Sequence, residues 1–357
     1  MLPYWLMFIL PAAVALVSEP RWSVGLGTDL PRLRGMWLLL LLALTMLIGF
    51  RVEVGGDWWN YMDRLEVTRG MRWAEILSAA DPGDRVVNWI SAEAGWGIFG
   101  VNIIGGGLFA YGLLTFCKAQ PRPWLALAVS VPYLVIVVAM GYSRQAVALG
   151  LAMVGLVDLG RGRSGRFGMW LLLGATFHRT AVLLLPIAAL SATRSRYWTA
   201  AWMAVLGFVA YSVFLEESVR GLYENYVVAE YQSQGTFLRL LMNGVPAVVM
   251  VGWSKTLGLR AEERRLWLVV SAIALALLAA LLVTPSSTAL DRIGLYVLPL
   301  QLVVFSRLPG VWGGDKNLAR VTVTLVLSYY ALVQYVWLNF GKMAYLWIPY
   351  RFYLLDS

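Results

Sequence analysis

Arg144, in "VVAMGYSRQAVALG", is the only charged residue between Arg122 and Asp158. A charge so deep in an apolar stretch is costly unless it is paired or faces water. A guanidinium suits an anion there, because its planar fork holds phosphate bidentately and stays ionised. The competing reading is an arginine snorkelling at a helix end. Arg239 in "GTFLRLLMNGVP" and Arg292 in "TALDRIGLY" have the same placement, and Asp291 is set to pair with Arg292. Several arginines at helix ends on one side point to a phosphate or pyrophosphate ligand. His178 in "ATFHRTAVL" is the only histidine. It reads as an acid or base near neutral pH or as a hydrogen-bond donor to substrate; the plainer alternative is a structural histidine bonded to nearby backbone. Arg179 follows it directly.

A second group lies in "GFRVEVGGDWWNYMDR", residues 49–64. Arg51 and Asp57 flank Gly55 and Gly56, which permit a tight turn. Asp57 and Tyr61 share a face if a helix starts near Asp57. Trp58 and Trp59 fit an interfacial aromatic belt, which explains Arg51 and Asp57 less well. Rings with one polar end suit sugar faces as well as interfaces. Tyr61, Tyr142, Tyr223, Tyr226 and Tyr296 are candidates for that contact, with Arg179, Asp291 and Arg351 as polar neighbours.

The elements that hold these residues must be membrane helices. The chain is 60% hydrophobic and 14% charged, against roughly a quarter charged in soluble domains. Uncharged runs such as Met36–Phe50, Gly95–Cys117 and Leu266–Leu290 approach or exceed the ~20 residues of a span. Candidate spans fall near 2–17, 36–50, 95–117, 123–141, 144–160, 167–190, 198–215, 237–253, 266–284, 290–305 and 318–338. The reading is an all-α polytopic protein with about 11–12 membrane helices, one integral membrane domain over 1–357, and its first helix retained. The net charge of +9 fits basic cytoplasmic loops rather than nucleic acid. One histidine and one cysteine argue against a zinc site of the usual ligands, so no metal and no cofactor are expected. The GxxxxGK[ST], GxSxG and HExxH patterns of soluble enzymes are missing from the sequence.

Basic residues cluster in alternate loops: Arg21, Arg32 and Arg34, then Lys118 and Arg122, then Arg161, Arg163 and Arg166. The positive-inside rule puts these in the cytoplasm and places 51–94 and 216–236 outside. A single span over 167–190 would reverse every later loop. A broken helical hairpin near 167–190, turning at His178–Arg179, removes the conflict, provided that the turn is shielded from lipid. Arg51, Asp57, Arg144, Arg239, Asp291, Arg292 and Arg351 then gather on the outer side, and the hairpin aims His178 and Arg179 toward them.

The ordered motifs "FRVEVGGDWWNY" (50–61), "SRQAVALGL" (143–151), "FHRTAVLLLP" (177–186), "DRIGLY" (291–296) and "PYR" (349–351) resemble the EpsG family of multi-spanning, Wzy-like polymerases of bacterial exopolysaccharide. Here Thr180 follows His178 with Arg179 between them. The resemblance implies a GT-C-like helical bundle in the bacterial inner membrane with its site facing the periplasm or outside. It also implies a glycosyltransferase that joins undecaprenyl-pyrophosphate-linked oligosaccharides, with flippase and chain-length or export proteins as partners beside the lipid bilayer. Motif matching carries over Arg51, Asp57, Arg144, His178 and Arg292. Arginines would stabilise the charge on the departing lipid pyrophosphate, and Asp57 or His178 would serve the acceptor hydroxyl. An O-antigen ligase and a lipid-linked sugar flippase are the rival classes.

Overall fold

In a computed structural model the chain is almost wholly helical, and the structure describes residues 1–18, 31–191, 196–210, 235–282, 287–312 and 314–355. Helices α1 (Leu2–Val17) and α2 (Pro31–Gly49) lead into a two-residue strand, β1 (Arg51–Val52). Three short helices follow: α3 (Trp58–Thr68), α4 (Trp73–Leu77) and α5 (Pro82–Glu93). Then come α6 (Gly97–Lys118), α7 (Pro123–Ser130) running on as a π-helix (Val131–Ala139), and α8 (Ser143–Gly160). The wide π turns begin at Pro132, which has no N–H to give and crowds the preceding turn. Helix α9 (Ser164–Ala175) breaks into a 3-10 segment (Arg179–Leu184) that continues as α10 (Leu185–Ser191). The rest comprises α11 (Arg196–Ala210), α12 (Thr236–Trp253), α13 (Ala261–Ala280), α14 (Ser287–Leu295), α15 (Pro299–Arg307) and α16 (Lys316–Phe340), and a second strand, β2 (Arg351–Phe352).

Five helical stretches among the described residues are long and apolar enough to cross a membrane: Gly97–Lys118, Ser143–Gly160, Thr236–Trp253, Leu290–Gly310 and Lys316–Phe340. Shorter apolar helices fill in beside them, so the chain is an all-α polytopic membrane protein. The run near 290–305 is not one smooth helix. It is interrupted between Leu295 and Pro299, where proline cannot continue the hydrogen-bond ladder.

Helix α8 forms the centre of the bundle, buried along almost all its length. It packs on α6 at Gly112 and Gly150, where a Cβ on Gly112 would run into the Gly150 backbone. A buried polar chain fixes α14. Asn243 of α12 donates to the Gly294 carbonyl at 2.9 Å, Gln301 donates to Asn243 at 2.8 Å, and Tyr330 of α16 donates to Gln301 at 2.6 Å. Inside a membrane protein such satisfied side-chain bonds hold helices in register.

Much of residues 51–94 is helical and packed. Trp58, Tyr61 and Leu65 are spaced along one face of α3 and pack with Val87, Ile98, Val101, Val147 and Phe177. Helices α3 to α5 therefore form a folded cap over one end of α6 and α8. The segment after α16 ties this cap to the bundle. β2 pairs antiparallel with β1, Arg51 facing Phe352. Leu346 accepts from Gly55 N at 2.9 Å, the Trp347 indole donates to the Ile136 carbonyl at 2.7 Å, and Tyr4 donates to the Trp347 carbonyl at 2.7 Å.

Candidate functional site

The cap turns on Gly55, whose positive φ of 105° is unstrained only for glycine. A Cβ there would strike the Met140 carbonyl, so the turn sits directly on the π-helix end. This places Asp57 at the position preceding α3. Tyr61, one helical turn on, is buried beside it, and its hydroxyl bonds to the Arg144 backbone. Asp57 is held at 3.3 Å from the Asn60 amide. Burial raises its pKa above the usual aspartate value of 3.8, against the opposing pull of the Asn60 bond, Arg144 and Arg292.

Arg144 lies in the first turn of α8, where a cation opposes the helix dipole. A carboxylate compensates it. Arg144 Nη1 donates to Asp81 Oδ2 at 2.5 Å. Asp81 immediately precedes Pro82, the first residue of α5. The Thr176 carbonyl accepts from Gly83 N at 2.9 Å and Asp84 N at 3.4 Å. The start of α5 is thereby docked on the break between α9 and the 3-10 segment, and a Cβ on Gly83 would collide with the Thr176 hydroxyl. Asp84 is buried and pairs with Arg64 at 2.8 Å. Burial raises its pKa while Arg64 and Arg144 oppose the shift.

At that break His178 is extended (φ −154°) and caps the 3-10 turn. Its Nδ1 lies 3.4 Å from Thr180 N and 2.8 Å from Thr180 Oγ1, and Thr180 Oγ1 lies 3.1 Å from the Tyr296 hydroxyl. A backbone N–H can only donate, so Nδ1 accepts and Nε2 carries the proton. The charges acting on His178 are Arg144, Arg292, Arg179 and Arg64, all cationic. An imidazolium would be one more cation among them.

The expected pairing of Asp291 with Arg292 is not what forms. Asp291 takes Arg239 through both oxygens, Nε to Oδ1 at 2.5 Å and Nη2 to Oδ2 at 2.8 Å. Arg292 is exposed, and its side chain has no ion pair among the described residues. Its carbonyl accepts from Gln145 of α8 at 3.0 Å, which fixes α14 beside α8.

Asp57, Tyr61, Tyr142, Arg144, His178, Asp291, Arg292 and Tyr296 thus converge: Arg144 and Arg292 both act electrostatically on Asp57 and on His178, and Tyr142 feels Arg239, Asp291, Asp57 and Arg292. Arg179 adjoins His178 on the same turn. Other expected residues lie elsewhere. Arg51 is 1% exposed, with Nε on the Val54 carbonyl, Nη1 on the Ile48 carbonyl at 2.5 Å, Nη2 on Ser143 at 2.8 Å and its guanidinium over the Trp58 ring. It is walled in by protein and does not face the open site. Arg351 is exposed and pairs with Glu53 beside the small sheet. Tyr223 and Tyr226 lie outside the described residues. The reading from sequence missed Asp81, Asp84 and Arg64. The signal for Asp81 was "DPGD", an aspartate before proline at a helix start. Among the described residues no group of three or more His, Cys, Asp or Glu side chains is placed to hold a metal ion.

No curated protein and no solved structure matches the chain. A family model does match, over residues 35–352, and it is that of the EpsG family.

Proposed function

Because the chain belongs to the EpsG family, we propose that it is a Wzy-like polysaccharide polymerase. In this reading it transfers a glycan from an undecaprenyl-pyrophosphate carrier to a sugar hydroxyl of the next lipid-linked unit, at the periplasmic or outer face of the bacterial inner membrane. The observation that carries this reading is the convergence of Asp57, Arg144, His178 and Arg292 from four distant chain segments at one end of the bundle. Two cations, one carboxylate and one neutral hydrogen-bond donor suit a transfer that expels an anionic leaving group and needs a proton taken from an alcohol.

Arg292 is the first ligand of the pyrophosphate, since its side chain is exposed and unclaimed by a carboxylate among the described residues. Arg144 assists through the Nη2 edge that Asp81 leaves open. Fixed guanidiniums aimed at the charge that grows on the leaving group stabilise the transition state more than the ground state. Arg239 is left out of the clamp, because Asp291 fills its fork, and Arg51, because it is enclosed. Asp57 is the base: its raised pKa makes it a better proton acceptor than an ordinary aspartate while Arg144 and Arg292 keep it ionisable. His178 donates from Nε2 to a glycan or phosphate oxygen. Tyr142 is exposed and faces the glycan side, whereas Tyr61 and Tyr296 are buried and support the site from behind.

The test is reconstitution of the purified chain in vesicles with undecaprenyl-pyrophosphate-linked repeat units. A ladder of products longer than one repeat supports the proposal. Transfer to lipid A-core alone would make the chain a ligase. Movement of the lipid-linked unit across the bilayer without transfer would make it a transporter.

A further inference from the structure

The Arg51 guanidinium is enclosed, and the groups that act on it electrostatically are the hydroxyls of Tyr61, Tyr350 and Tyr4 rather than a carboxylate. A buried cation is costly unless its N–H groups find acceptors. Three do so here. Nε donates to the Val54 carbonyl at 3.2 Å, Nη1 to the Ile48 carbonyl at 2.5 Å and Nη2 to Ser143 Oγ at 2.8 Å. The central carbon of the group lies over the Trp58 ring, 5.9 Å from its centroid.

These contacts fall beside the site residues. Val54 and Trp58 bracket the turn that carries Asp57, and Ser143, the first residue of α8, directly precedes Arg144. Val54 and Ile48 belong to the same chain segment as Arg51. Ser143 lies 92 residues further on, so that one bond crosses from the cap to α8. Tyr61 makes a second crossing, to the Arg144 backbone. Two crossings to adjacent residues fix both the distance of the helix end from the Asp57 turn and its rotation. Asp81 holds the tip of the Arg144 side chain, and Arg51 holds the helix end from which that side chain starts. The spacing has a chemical consequence, because Arg144 and Arg292 are the two cations that oppose the effect of burial on Asp57.

We propose that Arg51 is a positioning residue for the transfer: by bonding the chain beside Asp57 and beside Arg144, it fixes the separation of the two. It touches no substrate itself. This rests on the transferase reading and deepens it. The place calls for a guanidinium, whose donors point in several directions from one rigid plane. A lysine there keeps the charge but presents a single nitrogen.

The experiment uses the full chain in vesicles with the lipid-linked repeat unit. It reads kcat, KM and the pH profile of kcat/KM, which reports groups of the free enzyme. The variants are Ser143→Ala, Ser143→Thr and Arg51→Lys. Ser143→Ala leaves the bonds of Arg51 to Val54 and Ile48 in place and cuts the crossing to α8. Turnover per folded chain should fall about tenfold, since small misplacements of reacting groups are costly, and KM should change less than kcat. The rising limb of the profile should move up by about half a pH unit, because a more distant cation opposes the burial of a carboxyl less. The other groups coupled to Asp57, namely Arg292, Tyr61 and Tyr142, are unaltered in this variant. Ser143→Thr restores a hydroxyl and should recover most of the loss. Arg51→Lys should shift the profile in the same direction; if it does not fold, the two Ser143 variants decide alone. The midpoint of a pH profile does not depend on how much of the protein is folded, so a merely structural Arg51 would leave it in place. An unmoved or lowered midpoint in Ser143→Ala overturns the proposal, whatever happens to thermal stability. So does an equal loss of turnover in Ser143→Ala and Ser143→Thr. Failure of the wild-type chain to elongate any unit overturns the transferase reading itself, a result distinct from all of these.

Discussion

Arg239 and Asp291 meet through two parallel contacts, Nε to Oδ1 at 2.5 Å and Nη2 to Oδ2 at 2.8 Å, and so join α12 to α14. A bidentate pair that is largely shielded is expensive to break from one side, at about 1–3 kcal/mol for the group left unpaired. Arg239→Lys and Asp291→Asn should therefore lower the unfolding temperature in detergent while leaving the KM for the lipid-linked unit near wild type. A raised KM with unchanged stability would return Arg239 to the substrate.

Arg292 should behave in the opposite way. Arg292→Lys keeps the charge and loses the fork, and we expect turnover to fall about tenfold, equivalent to ~1.4 kcal/mol of transition-state stabilisation. Arg292→Ala should lose roughly a hundredfold or more, with thermal stability unchanged. Kinetics of both variants in vesicles decide it, and wild-type turnover in Arg292→Lys would exclude a bidentate role.

The pH dependence should follow Asp57. Burial raises its folded pKa above the ordinary aspartate value. The protonated form is thus favoured in the folded chain, and activity should climb with pH through that raised pKa and then level off. The linkage has the matching sign. A carboxyl with a raised folded pKa costs stability once pH exceeds its unfolded value, so Asp57→Asn should be at least as stable as wild type at neutral pH, yet inactive. Loss of stability together with activity would make Asp57 structural.

His178 should act as a neutral donor. His178→Gln keeps an N–H at a similar reach and should retain more activity than His178→Ala, for which a loss of about a hundredfold is expected. Thr180→Val removes the hydroxyl between His178 and Tyr296 and should fall between the two. No inflection near pH 6.5 should be present in wild type and absent in His178→Gln; finding one would show that the imidazole titrates during turnover.

Much of this was legible in the sequence for identifiable reasons. The break at His178 followed from charge parity between loops, and the structure breaks α9 at Ala175 and restarts at Arg179. The shared face of Asp57 and Tyr61 followed from helical spacing, and α3 starts at Trp58. Pairing was not legible. Arg144 takes Asp81, 63 residues away, and Arg239 takes Asp291, 52 residues away. Side chains that meet through tertiary packing leave no local pattern. Arg51 misled for a related reason: two of its acceptors are backbone carbonyls three residues away on either side, and carbonyls have no residue type to read. Frequent charges across 51–94 mask the helical period that the apolar positions 58, 61 and 65 carry.

The strand at Arg351–Phe352 and the bonds made by Leu346 and Trp347 also set a schedule for assembly. The ribosome delivers these residues after α16 and every other helix that they touch, and they then close onto the turn at Gly55, made some 290 residues earlier in the chain. The Asp57 turn can acquire its final support only after the membrane helices have been inserted. During synthesis the nascent chain is therefore without a completed site, and a stop codon before Leu346 should yield an inserted but inactive protein.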